Sequence, residues 1–153
     1  GNDGSVTVAF DGRGIHSLFL GDLGEESQHA LQALAPPGRV DVVKVAHHGS
    51  GDQSAELYAG LSATAGLISV GDDNGYGHPT ARLLDILAGA GTFALRTDIH
   101  GMVVLASAEN SPPTGAALTV WIEKPGDDWE PDGPYRARPA ASAARTSLER
   151  EAG

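Results

Sequence analysis

Three short apolar runs, residues 15–20, 40–46 and 67–70, alternate with segments whose apolar residues recur at helical spacing, and this alternation restricts the fold more than any other feature of the sequence. The run 40–46, Val-Asp-Val-Val-Lys-Val-Ala, offers water almost no polar face, which is the pattern of a strand covered on both sides. Strands separated by helices build layered α/β architectures in which the helices cover a mixed sheet.

Residues 5–10 alternate, with Val6, Val8 and Phe10 on one face. After a tight turn at Asp11-Gly12-Arg13-Gly14 the run 15–20 returns as a second strand, so the first elements form a hairpin. A hairpin so near residue 1 predicts that the sequence starts inside a domain. Helices are expected over 25–35, 53–61 and from Thr80 to about residue 90. In the first, Glu25 and Glu26 suit the helix dipole, Ala30, Leu31 and Leu34 form the stripe, and Pro36-Pro37-Gly38 stops it. The second has Leu57 and Leu61 on one face; the third is capped by Thr80 and buries Leu83, Leu84, Ile86 and Leu87. Residues 92–96 and 102–107 read as a pair of strands around Asp98-Ile99-His100-Gly101, and 109–115 as a proline-containing loop. Residues 117–124 read as a last alternating strand, with Leu118, Val120 and Ile122 on one side and Trp121 on the other. The chain thus divides into a domain over 1–124 and a Pro/Ala/Arg-rich tail over 125–153, expected to be mostly disordered.

At 153 residues the chain can bury a real core. It has no cysteine, which excludes disulfides and thiolate metal sites and leaves histidine and carboxylate as the strong ligands. Twenty acidic residues against ten basic ones give a net charge of -10, and such a surface repels a polyanion unless a metal or a local basic patch intervenes. No run of about 18 apolar residues and no signal-peptide pattern occurs, so the expectation is a soluble piece.

The chemistry-bearing residues collect just past strand ends. Asp22 follows the run 15–20, His47-His48-Gly49-Ser50 breaks the run 40–46, and His78 lies in the Gly-, Asp- and Asn-rich loop 71–79 with Tyr76. A carboxylate and a histidine pair delivered to one rim by rigid strands are donors from which metal sites are built. Each also has a plain structural role. Asp22 can shape a turn or cap the helix at 25, paired histidines can cap a turn, and His78 can orient the chain before Pro79. Lys44 reads as a solvated strand residue and Ser50 as a turn hydroxyl, because no histidine-acid relay points to it. His16, His29 and His100 read as strand-face, helix-surface and hairpin-turn residues. Trp121 and Trp129 are not interleaved with basic residues, so a stacking platform for bases is not supported.

The stretches Ser17-Leu18-Phe19-Leu20-Gly21-Asp22, Asp41-Val42-Val43-Lys44-Val45-Ala46-His47-His48-Gly49-Ser50, Ile68-Ser69-Val70-Gly71, Asn74 with Tyr76-Gly77-His78-Pro79, and Leu95-Arg96-Thr97-Asp98 before Gly101 occur in register. Across residues 2–106 they closely resemble the metallo-β-lactamase-fold domain at the end of ComEC-type DNA-uptake proteins. Members of that family are polytopic membrane proteins of natural competence that pass single-stranded DNA into the cell, and this domain is thought to degrade the strand left outside. The resemblance implies a layered αββα fold, of which this chain matches only the C-terminal half, and a metal-dependent phosphodiesterase or nuclease. It implies two divalent metals, zinc or manganese, in the complete domain, with Asp22 as the bridging carboxylate and His48 as a terminal ligand. His47 would stand beside the substrate phosphate and His78 nearer the rim, these two being the catalytic candidates. The implied partners are the missing N-terminal half of the domain, DNA, the membrane channel of the parent protein and a second copy of the chain. The implied location is the extracytoplasmic side of the cell membrane.

The family's H-x-H-x-D-H cluster is absent from this sequence. Two ligands hold a metal weakly or not at all, so the isolated chain is expected to be inactive. Two other readings stand beside this one. The chain can be half of a small-molecule hydrolase of lactonase or phosphocholine esterase type, since Arg82 and Arg96 are the only basic residues near the loops. It can also be a non-catalytic structural or interaction module that keeps the scaffold.

Overall fold

The computed structural model describes residues 4–107 and 118–124 and the backbone of residues 145–148. The expected loop at 109–115, Trp129 and the tail apart from residues 145–148 lie outside the described residues. The first sheet has five strands in chain order: β1 (Val8–Gly12), β2 (Ile15–Phe19), β3 (Val42–Lys44), β4 (Ala65–Ile68) and β5 (Phe93–Arg96). β1 and β2 form the antiparallel hairpin read from the alternation, with Val8 opposite Phe19, while β2 to β5 run parallel. The sheet is mixed, as expected.

Three helices make the crossovers: α1 (Glu25–Leu34), α2 (Ala55–Leu61) and α3 (Ala81–Gly89). Local chemistry starts each of them. The Ser54 hydroxyl accepts from the Leu57 amide at 3.2 Å and the Thr80 hydroxyl from the Leu83 amide at 3.4 Å, each satisfying a first-turn N–H. α1 has no cap of its own, and the distant Asp52 carboxylate accepts from the Glu25 amide at 3.2 Å instead. Crossovers of one hand between neighbouring parallel strands put the helices on one face of the sheet. Accordingly Leu57, Tyr58, Leu61, Leu83 and Leu87 share one core with Leu18, Leu20, Val43, Val45 and Ile68, and Leu31 packs against it.

The other face of the sheet carries a second core. There Val42, Ala65 and Leu95, with Ile15, Leu67 and Phe93, meet Leu118, Val120, Ile122, Val103 and Leu105 of a second, antiparallel sheet. That sheet consists of β6 (Val103–Ser107), β7 (Leu118–Ile122) and β8 (Arg145–Leu148). The layers are therefore helix, sheet, sheet. β8 falls inside the stretch expected as tail and pairs along β7, with Val120 opposite Thr146.

The two strands expected to pair around residues 98–101 do not. β5 closes the first sheet and β6 opens the second. Between them lies a one-turn helix, α4 (Thr97–His100), followed by Gly101 at φ 65°, where the chain changes layer. The stretch expected as a hairpin turn forms its own hydrogen bonds instead: Arg96 bridges Asp98 through Nε at 3.1 Å and Nη2 at 2.5 Å, and His100 Nδ1 accepts from the Arg96 amide at 2.9 Å. His100 is buried rather than a surface turn residue.

Burial holds the His100 imidazole below the usual histidine range, against the opposing pull of Asp98. A histidine whose pKa is depressed by folding is protonated more readily in the unfolded chain. The stability it confers is present above about pH 6.5 and is lost as pH falls through the folded value. The urea midpoint is thus expected to drop between pH 7 and pH 5, and His100→Gln should start lower but flatten that drop. Parallel urea titrations of the two proteins check this.

Among the described residues, one part of the inter-sheet face is uncovered. In register Phe19 neighbours Lys44 and then Leu67, a member of the second core, so Phe19 and its opposite, Val8, lie on the face that the second sheet covers further along. Val8, Phe10 and Phe19 are nevertheless 49%, 59% and 43% exposed. Among the described residues no helix is long and apolar enough to cross a membrane.

Candidate functional site

In parallel sheets the loops at the carboxyl ends of the strands share one edge, which is where α/β proteins place their ligands. Here those loops follow β2, β3 and β4, and they carry the residues singled out from the sequence. The turn after β2 holds Asp22, whose amide donates to the Ser5 hydroxyl at 2.7 Å. The turn after β3 is bonded directly to it, since the His47 amide donates to the Gly21 carbonyl at 3.0 Å.

That second turn has an uncommon backbone. His47 and His48 lie in the left-handed region at φ 46° and 52°, and Gly49 follows at φ 89°. For a residue with a Cβ this conformation costs about 1–2 kcal/mol, so two in succession persist only where the surroundings enforce them. Three bonds around the turn do part of this: Ser50 N to His47 O at 3.0 Å, Thr80 N to Gly49 O at 2.9 Å, and His47 N to Gly21 O. The effect is to aim both imidazoles off one corner.

His48 Nδ1 lies 2.7 Å from the Ser69 carbonyl at the end of β4. A carbonyl can only accept, so Nδ1 carries a proton, which in the neutral ring leaves the lone pair on Nε2, the tautomer in which an imidazole serves as a ligand or base. His47 and His78 meet edge to face with ring centroids 5.7 Å apart, and Tyr76 tilts against His78 at 6.1 Å. The loop bearing His78 is braced by Asn74, which accepts from the Tyr76 amide at 3.0 Å and donates to the His78 carbonyl. Desolvation, then the neighbouring His47 and His48, hold the His78 imidazole below its ordinary range, so it favours the neutral form.

Lys44 is not the solvated residue its alternation suggested. It is half-buried, its ammonium donates to the Val45 carbonyl at 2.9 Å, and its side chain shares the inter-sheet face with Phe19 and Leu67. Burial lowers its pKa while the charge of Asp22 works the other way. Arg82 and Arg96, the basic residues near the loops, are both engaged: Arg82 with Glu25 at 3.2 Å and with the Gly51 and Gln53 carbonyls, Arg96 with Asp98. Ser50 is a buried turn hydroxyl, accepting from Gln53 at 3.3 Å.

The structure thus links the Asp22 turn to the His47-His48 turn, and His48 to the end of β4, and sets His47 against His78. Among the described residues, however, no group of three His, Cys, Asp or Glu side chains is arranged to hold a metal ion. The described donors therefore do not complete a metal centre by themselves. Sequence reading missed the supports of the site: Ser5, the Ser69 carbonyl, and the buried Gln28 and Gln53. A buried glutamine has no local sequence signal, because Gln28 in α1 and Gln53 just ahead of α2 both read as surface polar residues.

ComE operon protein 3 of Bacillus subtilis (strain 168) is 32% identical to the chain over 103 residues, which is 67% of this chain and 13% of that protein. The chain spans about one eighth of the length of that curated relative. No family model matches the chain, and no solved structure matches it.

Proposed function

We propose, with relatedness to a ComE operon product as the premise, that this chain is part of the metal-dependent phosphodiesterase domain of a ComEC-type DNA-uptake protein of natural competence. That relatedness supports the association with competence and DNA uptake. The hydrolytic part of the reading rests on one observation, the placing of Asp22, His47, His48 and His78 on linked loops at the carboxyl ends of parallel strands.

In this reading the helix, sheet, sheet layers are the C-terminal half of a metallo-β-lactamase-like αββα fold. Asp22 and His48 contribute donors to a pair of zinc or manganese ions, and ligands from the rest of the domain complete the centre. When bound, such ions supply Lewis acidity and a hydroxide near neutral pH. The chain's own residues contribute donors at fixed positions, a neutral His78 at the rim and a His47 held beside it. The exposed Val8, Phe10 and Phe19 are the surface on which the rest of the domain, or a second copy, packs. DNA is the substrate, and the membrane channel of the parent protein is the neighbour, on the extracytoplasmic side.

A second reading has an observation of its own. Arg82 and Arg96 are tied to carboxylates, which favours a small phosphodiester over a polymer that needs free cations along its path. A single experiment addresses both. The chain alone, with added Mn²⁺ or Zn²⁺, should turn over neither single-stranded DNA nor bis(p-nitrophenyl) phosphate. Joined to a segment carrying the H-x-H-x-D-H cluster, it should cleave DNA in a chelator-sensitive way. Outer-shell partners of a metal are already worth about 10- to 100-fold, so losing a ligand should exceed that: Asp22→Ala should abolish cleavage and His48→Ala should reduce it at least about 100-fold. Cleavage of the small ester alone would select the second reading. Turnover by the chain alone, or none by the joined protein, would sink the hydrolase proposal.

A further inference from the structure

The left-handed turn at His47-His48 is held from beneath by a buried amide. Gln53 is fully buried; its Nε2 donates to the Ala46 carbonyl at 3.0 Å and to the Ser50 hydroxyl at 3.3 Å, residues that flank the turn on either side. Its Oε1 accepts from Gln28 Nε2 and from the Tyr58 hydroxyl, each at 2.8 Å. The Tyr58 hydroxyl in turn accepts from the Ala46 amide at 3.3 Å. A backbone carbonyl can only accept, so the amide of Gln53 cannot be flipped without losing Ala46.

Gln28, also fully buried, extends the chain of bonds toward the other loop. Its Nε2 donates to the Leu23 carbonyl at 2.8 Å, one residue past Asp22, and its Oε1 accepts from the Ser54 amide at 2.9 Å. One pair of side-chain amides therefore reaches from the carboxylate loop to both flanks of the histidine turn. No buried side-chain nitrogen or oxygen among the described residues lacks a partner, so the network is fully satisfied, the condition under which a buried polar network fixes one geometry.

We propose that Gln53, with Gln28 behind it, is a positioning residue that sets the two histidines in their left-handed turn and fixes that turn against the Asp22 loop. The proposal rests on the site reading only for what the histidines are for; the conformational claim is read without metal or substrate. The test uses the whole chain and its Gln53→Leu and Tyr58→Phe variants. Thr92→Val is the control for a general loss of stability, since Thr92 is a buried hydroxyl bonded at 2.7 Å to the Ala63 carbonyl, away from the turn.

Nitrogen-15 NMR reads the protonation of the His48 ring, and hydrogen exchange reads the Ser50 amide that closes the turn. Gln53→Leu should mix the His48 tautomers and speed Ser50 exchange by about tenfold or more beyond what Thr92→Val does. Tyr58→Phe, which keeps the ring and removes two of the bonds, should give a smaller change of the same kind and serves if Gln53→Leu does not fold. If the folded variants differ from wild type only as Thr92→Val does, the positioning role is overturned, whatever the histidines bind. Failure of the hydrolysis experiment leaves this result untouched.

Discussion

Gly49→Ala is expected to lower the free energy of unfolding by about 3 kcal/mol or more, in a turn whose neighbours already leave no slack. Gly49 stands at φ 89°, and a Cβ there would lie 2.6 Å from Pro79 Cβ, 2.9 Å from Leu83 Cδ2 and 3.0 Å from Pro79 Cα. The left-handed backbone contributes about 1–2 kcal/mol of that loss and the overpacking about 1–3 kcal/mol. The turn cannot retreat cheaply, because the Gly49 carbonyl accepts from the Thr80 amide and hydroxyl at the start of α3. Leu83 cannot retreat either, being fully buried. Gly77→Ala is the matched control: its φ is 70° but a Cβ there meets nothing within 4 Å, so about 1 kcal/mol is expected. Urea denaturation of the two variants separates the contributions, and equal losses would mean that the contact with Pro79 and Leu83 is not made.

Val120→Asp is expected to unfold the chain or to remove more than about 4 kcal/mol of stability. Val120 is buried in the middle of β7, in the core that joins the two sheets, and faces apolar residues from both. A carboxylate there loses its water and gains no partner. Thr119→Asp, one residue earlier on the same strand, points to the opposite, partly exposed face and should cost about 1 kcal/mol. Circular dichroism melts of both variants check the layer assignment: similar losses would mean that the second sheet does not rest on the first.

Much of this arrangement is legible locally. The hairpin follows from alternation at residues 6–10, α2 from Leu57 and Leu61 on one helical face, and α3 from an apolar stripe behind the Thr80 cap, because capping acts within one turn. Asp22, His47, His48 and His78 could be singled out because each follows an apolar run, and ends of parallel strands converge. What could not be read depends on segments far apart in the chain. β5 and β6 looked like partners because they are adjacent in sequence, yet each is used by a different layer. Lys44 looked solvated because alternation says only that it faces away from Val43; that its neighbour Leu67 on this side packs with residues of β6 and β7 is tertiary information. The start of β4, Ala65-Gly66, has no β-branched residue to announce it and is placed by close packing, with Leu87 and Thr92 against Gly66.

In both sheets the spatial order of the strands is their order along the chain. Each new strand therefore joins an edge that already exists, and no strand waits for a later one to be inserted between it and its neighbour. Closing such near-neighbour pairs involves short spans of chain, which keeps the entropic barrier to assembly low. The first sheet can grow outward from its hairpin while a ribosome is still delivering β6, with the helices covering one face as they emerge. The second sheet then docks onto a surface already built, and the corner at Gly101 is the joint between an early and a late step of folding.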